Sequence, residues 1–95
     1  AVLGEKGVLC SIEIGERLSI GRGFSNDLQL PEPEVSRQHC LIERRGSELF
    51  IRDLGSSNGT FINGRRISET ALSSGDTIHL GTTELAFERG KTENQ

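Results

Sequence analysis

The chain has 95 residues, which suffice for one folded domain, since a core of this size buries only somewhat more than about 60% of the surface that the unfolded chain exposes. Its 12 glycines and 2 prolines favour many tight turns over a disordered, proline-rich chain. The formal net charge of -3 lacks the basic excess that attracts nucleic-acid phosphates. Nucleic acid is therefore not an expected partner, and any anion site must be local.

Short runs of β-type sequence follow one another along the chain, and no window carries an amphipathic helix. They cover residues 8–14, 17–20, 40–43, 49–52, 60–62, 77–80 and 83–87. Within them apolar residues alternate with polar ones, as at Leu18 and Ile20, which places one side of each strand in a core. Glycine and polar clusters interrupt the runs about every ten residues. The pattern predicts an all-β domain in which two antiparallel sheets pack face to face as a β-sandwich.

Two connections between these runs are informative. Asn63–Gly64 predicts a two-residue hairpin turn between residues 60–62 and 65–67, because a type I′ turn needs positive φ at both central positions. Residues 24–38 form a long polar stretch in which Pro31 and Pro33 oppose helix and ladder pairing, apart from a short strand near 27–30. Long loops on a β-scaffold are common places for binding residues. We expect the domain to span residues 1–90, followed by a polar tail at 91–95.

The sequence also sets expectations about compartment and redox state. No stretch approaches the roughly 18 apolar residues needed to cross a bilayer, and the first residues lack the order of a signal peptide. We therefore expect a soluble, cytoplasmic protein with no membrane partner. Cys10 and Cys40 both lie in alternating runs and have no metal-ligand spacing, which favours buried reduced thiols, while a disulfide between them stays open. No metal or cofactor is expected.

Three segments at the predicted strand ends carry side chains suited to an oxyanion: Gly21–Arg22, Ser36–His39 and Ser56–Thr60. Arginine guanidinium groups bind phosphate oxygens in bidentate fashion, and serine hydroxyls donate short charge-assisted hydrogen bonds to the remaining oxygens. Each segment alone is weak evidence, because a single arginine after a strand is usually a solvated surface residue. Their order and spacing carry the specificity.

Together with Asn63–Gly64, these segments resemble, in order, the signature of the forkhead-associated (FHA) domain, over about residues 8 to 88. The resemblance implies an antiparallel β-sandwich of two twisted sheets with about eleven strands, whose loops at one end bind phosphothreonine. The handling of phosphorylated motifs by arginine-containing sites is a recurrent mode of peptide recognition. The expected partner is thus a phosphothreonine-containing protein or peptide segment.

The resemblance also assigns residues to this binding. It makes Arg22 and Ser36 ligands of the phosphate, places Arg37 as a second cation beside them, and adds Ser57 as a further donor. Asn58 is expected to hydrogen-bond the main chain of the ligand, for which an amide offers both donor and acceptor. A second set is expected to shape the binding loops: Gly21, His39, Gly59, Thr60 and Asn63.

Three classes of function remain distinguishable at this point. The first is a phosphothreonine-binding module of kinase signalling that has no enzymatic activity, with a monomer as the expected state. The second is a phosphate-independent interaction or assembly domain of the same fold. The third is a hydrolase using Ser36 and His39, which is disfavoured because no acidic residue is assigned to orient the imidazole and no oxyanion motif is evident.

A final hypothesis concerns specificity. Glu32 and Glu34 lie just before Ser36, in the loop that should border the phosphate pocket. If either faces the residue three positions after the phosphothreonine, an acidic side chain there meets like charge. The alternative is that both glutamates only solvate a proline-containing loop.

Overall fold

The computed structural model describes the backbone of residues 2–5 and 11–88 and the side chains of residues 14–88. Eleven strands lie within these described residues. They are β1 (Val2–Glu5), β2 (Ser11–Glu13), β3 (Arg17–Gly21), β4 (Leu28–Gln29), β5 (Cys40–Arg45), β6 (Glu48–Asp53), β7 (Thr60–Ile62), β8 (Arg65–Ile67), β9 (Glu69–Ala71), β10 (Thr77–Leu80) and β11 (Thr83–Glu88).

The strands form two sheets, a six-stranded one in the order β2-β1-β11-β10-β7-β8 and a five-stranded one in the order β4-β3-β5-β6-β9. Their pairings are antiparallel, except that the short β4 runs parallel to β3. The apolar positions of both sheets meet in one core, which includes Leu18, Ile20, Ile42, Leu49, Ile51, Ile62, Ile78, Leu80, Leu85 and Phe87. The predicted two-sheet sandwich is confirmed.

Most predicted strands appear within a residue or two of their expected ends, and two strands were not predicted. The sequence of β9 is polar and its side chains are exposed or half-buried. This strand forms because its backbone pairs with the edge of β6, where Arg52 lies opposite Glu69. The strand β1 is likewise defined by its pairing with β11 and β2. Of the predicted run 8–14, residues 8–10 lie outside the described residues, as does the predicted tail at 91–95.

The hairpin turn predicted at Asn63–Gly64 is confirmed. Asn63 has φ 52 and Gly64 has φ 84, so both central residues are in the left-handed region that a type I′ turn requires. The backbone N–H of Thr77 donates to Asn63 Oδ1 over 2.9 Å, and Asn63 Nδ2 donates to Asp76 Oδ1 over 3.0 Å. The turn is therefore tied to the strand beside it.

The sandwich has two distinct ends. At the first, here called the loop end, β3, β6 and β10 finish and β5, β7 and β11 begin, so the connections at 22–39, 54–59 and 81–82 meet there. At the second, here called the turn end, the connections at 14–16, 46–47, 63–64 and 72–76 are short. Within the described residues, no helix is long and apolar enough to cross a membrane, and no three His, Cys, Asp or Glu side chains are grouped as a metal site.

Candidate phosphate-binding site

Arg22 directly follows β3 and is held in place by hydrogen bonds to the loop before β5. Its backbone N–H donates to the carbonyl oxygen of Ser36 over 2.9 Å, and its Nε donates to the carbonyl oxygen of Val35 over 3.0 Å. The side chain is exposed, and the described residues provide no acceptor for its two terminal nitrogens. The guanidinium is thus anchored through Nε, while its two terminal nitrogens are available to an anion.

Gly21 is required by the closeness of the two loops. A Cβ atom built there lies 2.1 Å from the carbonyl oxygen of Arg37 and 2.8 Å from Asn26 Nδ2. Asn26 Nδ2 itself donates to that same carbonyl over 2.7 Å and to the carbonyl of Gly23 over 2.8 Å. No sequence motif marks Asn26, although its amide joins the loop after β3 to the loop before β5.

Ser36 and His39 form the next link. The backbone N–H of Ser36 donates to His39 Nδ1 over 3.0 Å, and the other ring nitrogen lies 2.8 Å from the carbonyl oxygen of Gly59. Because Nδ1 accepts, Nε2 carries the proton and donates to Gly59. His39 is 0% exposed, so this imidazole braces two loops from beneath.

This arrangement argues against Ser36 and His39 as a nucleophile and its base. Both ring nitrogens are engaged with backbone groups, whereas a base must hydrogen-bond the hydroxyl it activates. The Oγ of Ser36 instead accepts the backbone N–H of Ser57 over 3.0 Å. Since that oxygen accepts from Ser57, its own O–H is left to donate elsewhere.

Asp53 organises the loop that carries Ser57 and Asn58. Its carboxylate accepts the backbone N–H groups of Gly55 and Ser56, each over 3.0 Å, the hydroxyl of Ser56 over 2.5 Å and the hydroxyl of Thr60 over 2.7 Å. Partial burial is the largest single influence and raises the pKa of Asp53, but these hydrogen bonds together outweigh it and leave the pKa below its ordinary value. The sequence signal that could have identified Asp53 is its place at the end of β6 just before Gly55 and Ser56, because an aspartate at the start of a turn commonly accepts the backbone N–H two residues further on, as in an Asx turn.

The adjoining positions Thr60 and Gly59 keep this loop in its shape. Thr60 is 0% exposed at the start of β7. Gly59 has φ 90, in the left-handed region that favours glycine, and a Cβ there would also displace the flexible side chain of Arg66, whose Nε lies 2.8 Å away. The hydroxyl of Ser56 also accepts the Gly59 backbone N–H over 3.0 Å.

Asn58 lies exposed at the tip of the same loop. Its Nδ2 donates to the carbonyl oxygen of Glu34 over 2.7 Å, which connects the tip to the loop before β5. The amide oxygen and the second N–H of Nδ2 have no partner among the described residues, so a donor and an acceptor remain for a ligand. Ser57, beside it, is also exposed.

The remaining predicted residues are placed differently from one another. Arg37 is exposed next to Ser36 and lines a groove with Phe24 and Leu54. Asn63, expected to shape the binding loops, lies at the turn end, where it bonds Asp76 and Thr77 as described above. The structure therefore brings Arg22, Ser36, Arg37, Ser57 and Asn58 together at the loop end and leaves Asn63 apart.

The two glutamates of the specificity hypothesis also differ. The carboxylate of Glu32 accepts the hydroxyl of Thr82 over 2.6 Å and the hydroxyl of Thr83, so it joins its loop to the β10–β11 connection. Glu34 is exposed, and its Cβ lies 2.6 Å from the position of a Cβ built on Gly81. Only Glu34 thus presents an uncommitted carboxylate near Asn58.

Cys40 lies at the loop end of β5 and is 0% exposed. Burial, with a smaller effect from the nearby Asp53 carboxylate, raises the pKa of the thiol to about 12. The group is therefore a neutral thiol at physiological pH and packs as an apolar residue. Cys10 lies outside the described residues, so the predicted state of this pair stays a prediction.

Comparisons with known proteins agree with the fold and the motifs. The chain is 36% identical over 78 residues to the oxoglutarate dehydrogenase inhibitor of Corynebacterium jeikeium, covering 82% of this chain and 54% of that protein. It spans about half, and in some cases about a tenth, of the length of the curated relatives it matches.

Two solved structures are similar over nearly the whole chain. Mycobacterium tuberculosis EmbR in complex with a low-affinity phosphopeptide has a TM-score of 0.88 at 32% identity, covering 92% of this chain and 24% of EmbR. A structure from an analysis of phosphothreonine-dependent FHA domain interactions also has a TM-score of 0.88, at 33% identity, covering 94% of this chain and 95% of that chain. The sequence model of the FHA domain family matches residues 18–81 of this chain. This chain belongs to the FHA domain family.

Proposed function

We propose that this chain binds phosphothreonine segments of partner proteins and thereby docks them in kinase-controlled complexes, without a chemical step of its own. The observation that carries the proposal is the connection of Arg22 to Ser36 and of Ser36 to Ser57 by the hydrogen bonds described above. They hold a guanidinium and two hydroxyl-bearing residues at one end of the sandwich before any ligand binds. Preorganised donors bind an anion with little ordering cost.

Charge favours a doubly ionised phosphate at this site. Arg22 and Arg37 are both exposed, and Arg22 is already anchored through Nε. Hydrogen bonds between charged groups are roughly twice as strong as neutral ones, so the two arginines select a phosphorylated residue over its free hydroxyl. Ser36 and Ser57 supply hydroxyl donors for the remaining oxygens.

Asn58 extends recognition from the phosphate to the peptide. One N–H of its amide is spent on the Glu34 carbonyl, and this bond fixes the orientation of the remaining donor and acceptor. A backbone amide and carbonyl of an extended ligand match that pair. Asn58 therefore contributes affinity for any peptide that reaches the site, phosphorylated or not.

We place the folded unit at residues 1–90, in the cytoplasm, as a monomer whose phosphorylated partner is supplied by a kinase. The relatives that match include an enzyme inhibitor and a regulator of glycogen accumulation, which are names of regulatory proteins rather than of catalysts. Most of these relatives are longer than this chain. We expect the domain to bring its phosphorylated partner to the rest of the protein that carries it.

The test is calorimetric titration of the chain with a phosphothreonine peptide and with its unphosphorylated twin. We expect binding of the first only, and an affinity that falls between about pH 7 and pH 5, because the second ionisation of the phosphate lies near 6 and the arginines favour the dianion. Equal binding of both peptides would instead support the phosphate-independent interaction domain.

A further inference from the structure

A groove lies beside the phosphate-binding residues at the loop end. Its volume is about 430 Å³, and it is lined by Gly23, Phe24, Ser25, Arg37, Gln38 and Leu54. Phe24 is 89% exposed and Leu54 is 37% exposed, and they are the large apolar side chains that the described residues leave at the surface. An exposed apolar patch that borders a groove commonly marks a contact site.

The fold of the loop does not require the phenylalanine ring. Asn26 holds this loop through its backbone N–H and its Nδ2, both of which donate to the carbonyl of Gly23, and through a second bond from Nδ2 to the carbonyl of Arg37. These bonds join Asn26 to backbone carbonyls, and none of them depends on the side chain of Phe24. The ring is thus presented on a loop that is already ordered.

The order of residues along the loop end gives the groove a direction. The segments 34–39 and 54–58 run antiparallel, because Leu54 N–H donates to the His39 carbonyl, Ser57 N–H to Ser36 Oγ, and Asn58 Nδ2 to the Glu34 carbonyl. Leu54 and the groove therefore lie at one side, the phosphate donors in the middle, and Asn58 with Glu34 at the other side. A peptide that crosses the phosphate site meets the groove on the flank away from Asn58.

We propose that this groove takes an apolar side chain of the same phosphorylated segment, on the flank opposite Asn58. The inference rests on the proposed function. Arg37 lines the groove and neighbours Ser36, so the groove is continuous with the phosphate site. Its volume suits one or two side chains rather than a folded surface. Because the phosphate tethers the segment, the apolar contact forms at high effective concentration.

The experiment uses peptides with phosphothreonine at the centre and alanine elsewhere, in which one alanine at a time is changed to leucine. Affinity is measured by fluorescence anisotropy for the unchanged protein and for Phe24→Ala, Leu54→Ala and the control Phe50→Ala. Phe50 is half-buried on β6, under the guanidinium of Arg45 at 4.6 Å, and it does not line the groove. Partial burial of leucine should strengthen binding about five- to tenfold at positions on one flank only.

The variants separate the possible outcomes. We expect Phe24→Ala and Leu54→Ala to reduce the gain in affinity from leucine to about twofold or less. Neither variant should change the affinity for the all-alanine phosphopeptide. Phe50→Ala should preserve the gain. No leucine gain at any position, or a gain that survives Phe24→Ala, overturns the proposal. Self-association of the unchanged protein that Phe24→Ala removes also overturns it, because a second copy then occupies the groove. Failure of the all-alanine phosphopeptide to bind at all contradicts the proposed function instead.

Discussion

The two ends of the sandwich are built on different principles. At the loop end, exposed hydrogen bonds from Ser57 and Asn58 join the loops, and the buried side chain of His39, which is 0% exposed, braces them from beneath. At the turn end, the corresponding bonds of Asn63 and Asp76 are at or near the surface. A Cβ built on Gly21 collides with backbone, whereas one built on Gly15 meets nothing within 4 Å.

The difference indicates where change is tolerated. Each loop of the loop end takes its shape from contacts with another loop, so a substitution in one should disturb the others and the candidate phosphate site together. Each connection of the turn end takes its shape largely from its own residues and the adjoining strand. Binding sites need fixed side chains, and interdependent loops provide them at the cost of tolerance.

The largest expected contrast in stability is between Gly21, the last residue of β3, and Gly15, in the connection that precedes β3. Gly21→Ala should lower the free energy of unfolding by about 3 kcal/mol, because the new methyl group overlaps the carbonyl of Arg37 and the backbone must move. Gly15→Ala has open space around its Cβ and a φ outside the left-handed region, so it should be neutral or stabilising by about 0.5 kcal/mol. Urea unfolding monitored by circular dichroism measures both. Equal effects would mean that the loops are not mutually constrained.

The next contrast concerns two aspartates, one at each end. Asp53→Asn should lower the free energy of unfolding by about 2 kcal/mol at neutral pH, since the Asp53 carboxylate accepts four hydrogen bonds. Asp76→Asn should lower it less, since among the described residues Asp76 accepts hydrogen bonds only from Asn63 and Ser73. The pKa of Asp53 is lower in the folded than in the unfolded chain, so its contribution is full above its ordinary value of 3.8 and is lost as pH falls through the folded value.

Unfolding at neutral pH and at about pH 3 tests this sign. The difference between the unchanged protein and Asp53→Asn should shrink in acid, whereas a difference that grows on acidification contradicts the assignment. Asp76→Asn serves as the matched control at the turn end.

The smallest expected effect is on specificity at the Asn58 side of the site. Glu34 is exposed and uncommitted, whereas the carboxylate of Glu32 bonds Thr82 and Thr83. A phosphothreonine peptide with an acidic residue at the third position after the phosphothreonine should bind more weakly than one with glutamine there, by about 1 kcal/mol or less because exposed charges are screened. Glu34→Gln should remove that difference in a competition assay. A difference that persists in Glu34→Gln, or a preference for the acidic peptide, contradicts the role of this charge.

Much of this architecture is legible in the sequence, for definite reasons. Alternating apolar residues fixed the core strands, and the φ requirement of a type I′ turn fixed Asn63–Gly64. The polar edge strand β9 was not predicted because its position depends on pairing with β6 rather than on its own pattern.

The site divides along the same line. Residue type and spacing singled out the segments that contain Arg22, Ser36 and Asn58, because charge and hydrogen-bonding capacity belong to the side chain. The roles of these three residues in binding, which the family resemblance implies, stay predictions. The function of Asp53 in shaping the loop was missed, and Asn63 was grouped with the residues that shape the binding loops although it lies at the turn end, because both depend on which distant segments the fold brings together. Glu32 and Glu34 likewise look alike in sequence and differ only through the hydroxyls of the β10–β11 connection.

The central claim is that the loop end is a preformed phosphate site, and a matched pair of arginine variants tests it most directly. Arg22→Ala removes the anchored guanidinium, whereas Arg65→Ala removes an exposed arginine from β8, opposite Ile62 near the turn end. Calorimetric titration with a phosphothreonine peptide should show a loss of about ten- to hundredfold for Arg22→Ala and no loss for Arg65→Ala, with both proteins folded by circular dichroism. Unchanged affinity in folded Arg22→Ala, or an equal loss in both variants, would contradict the account.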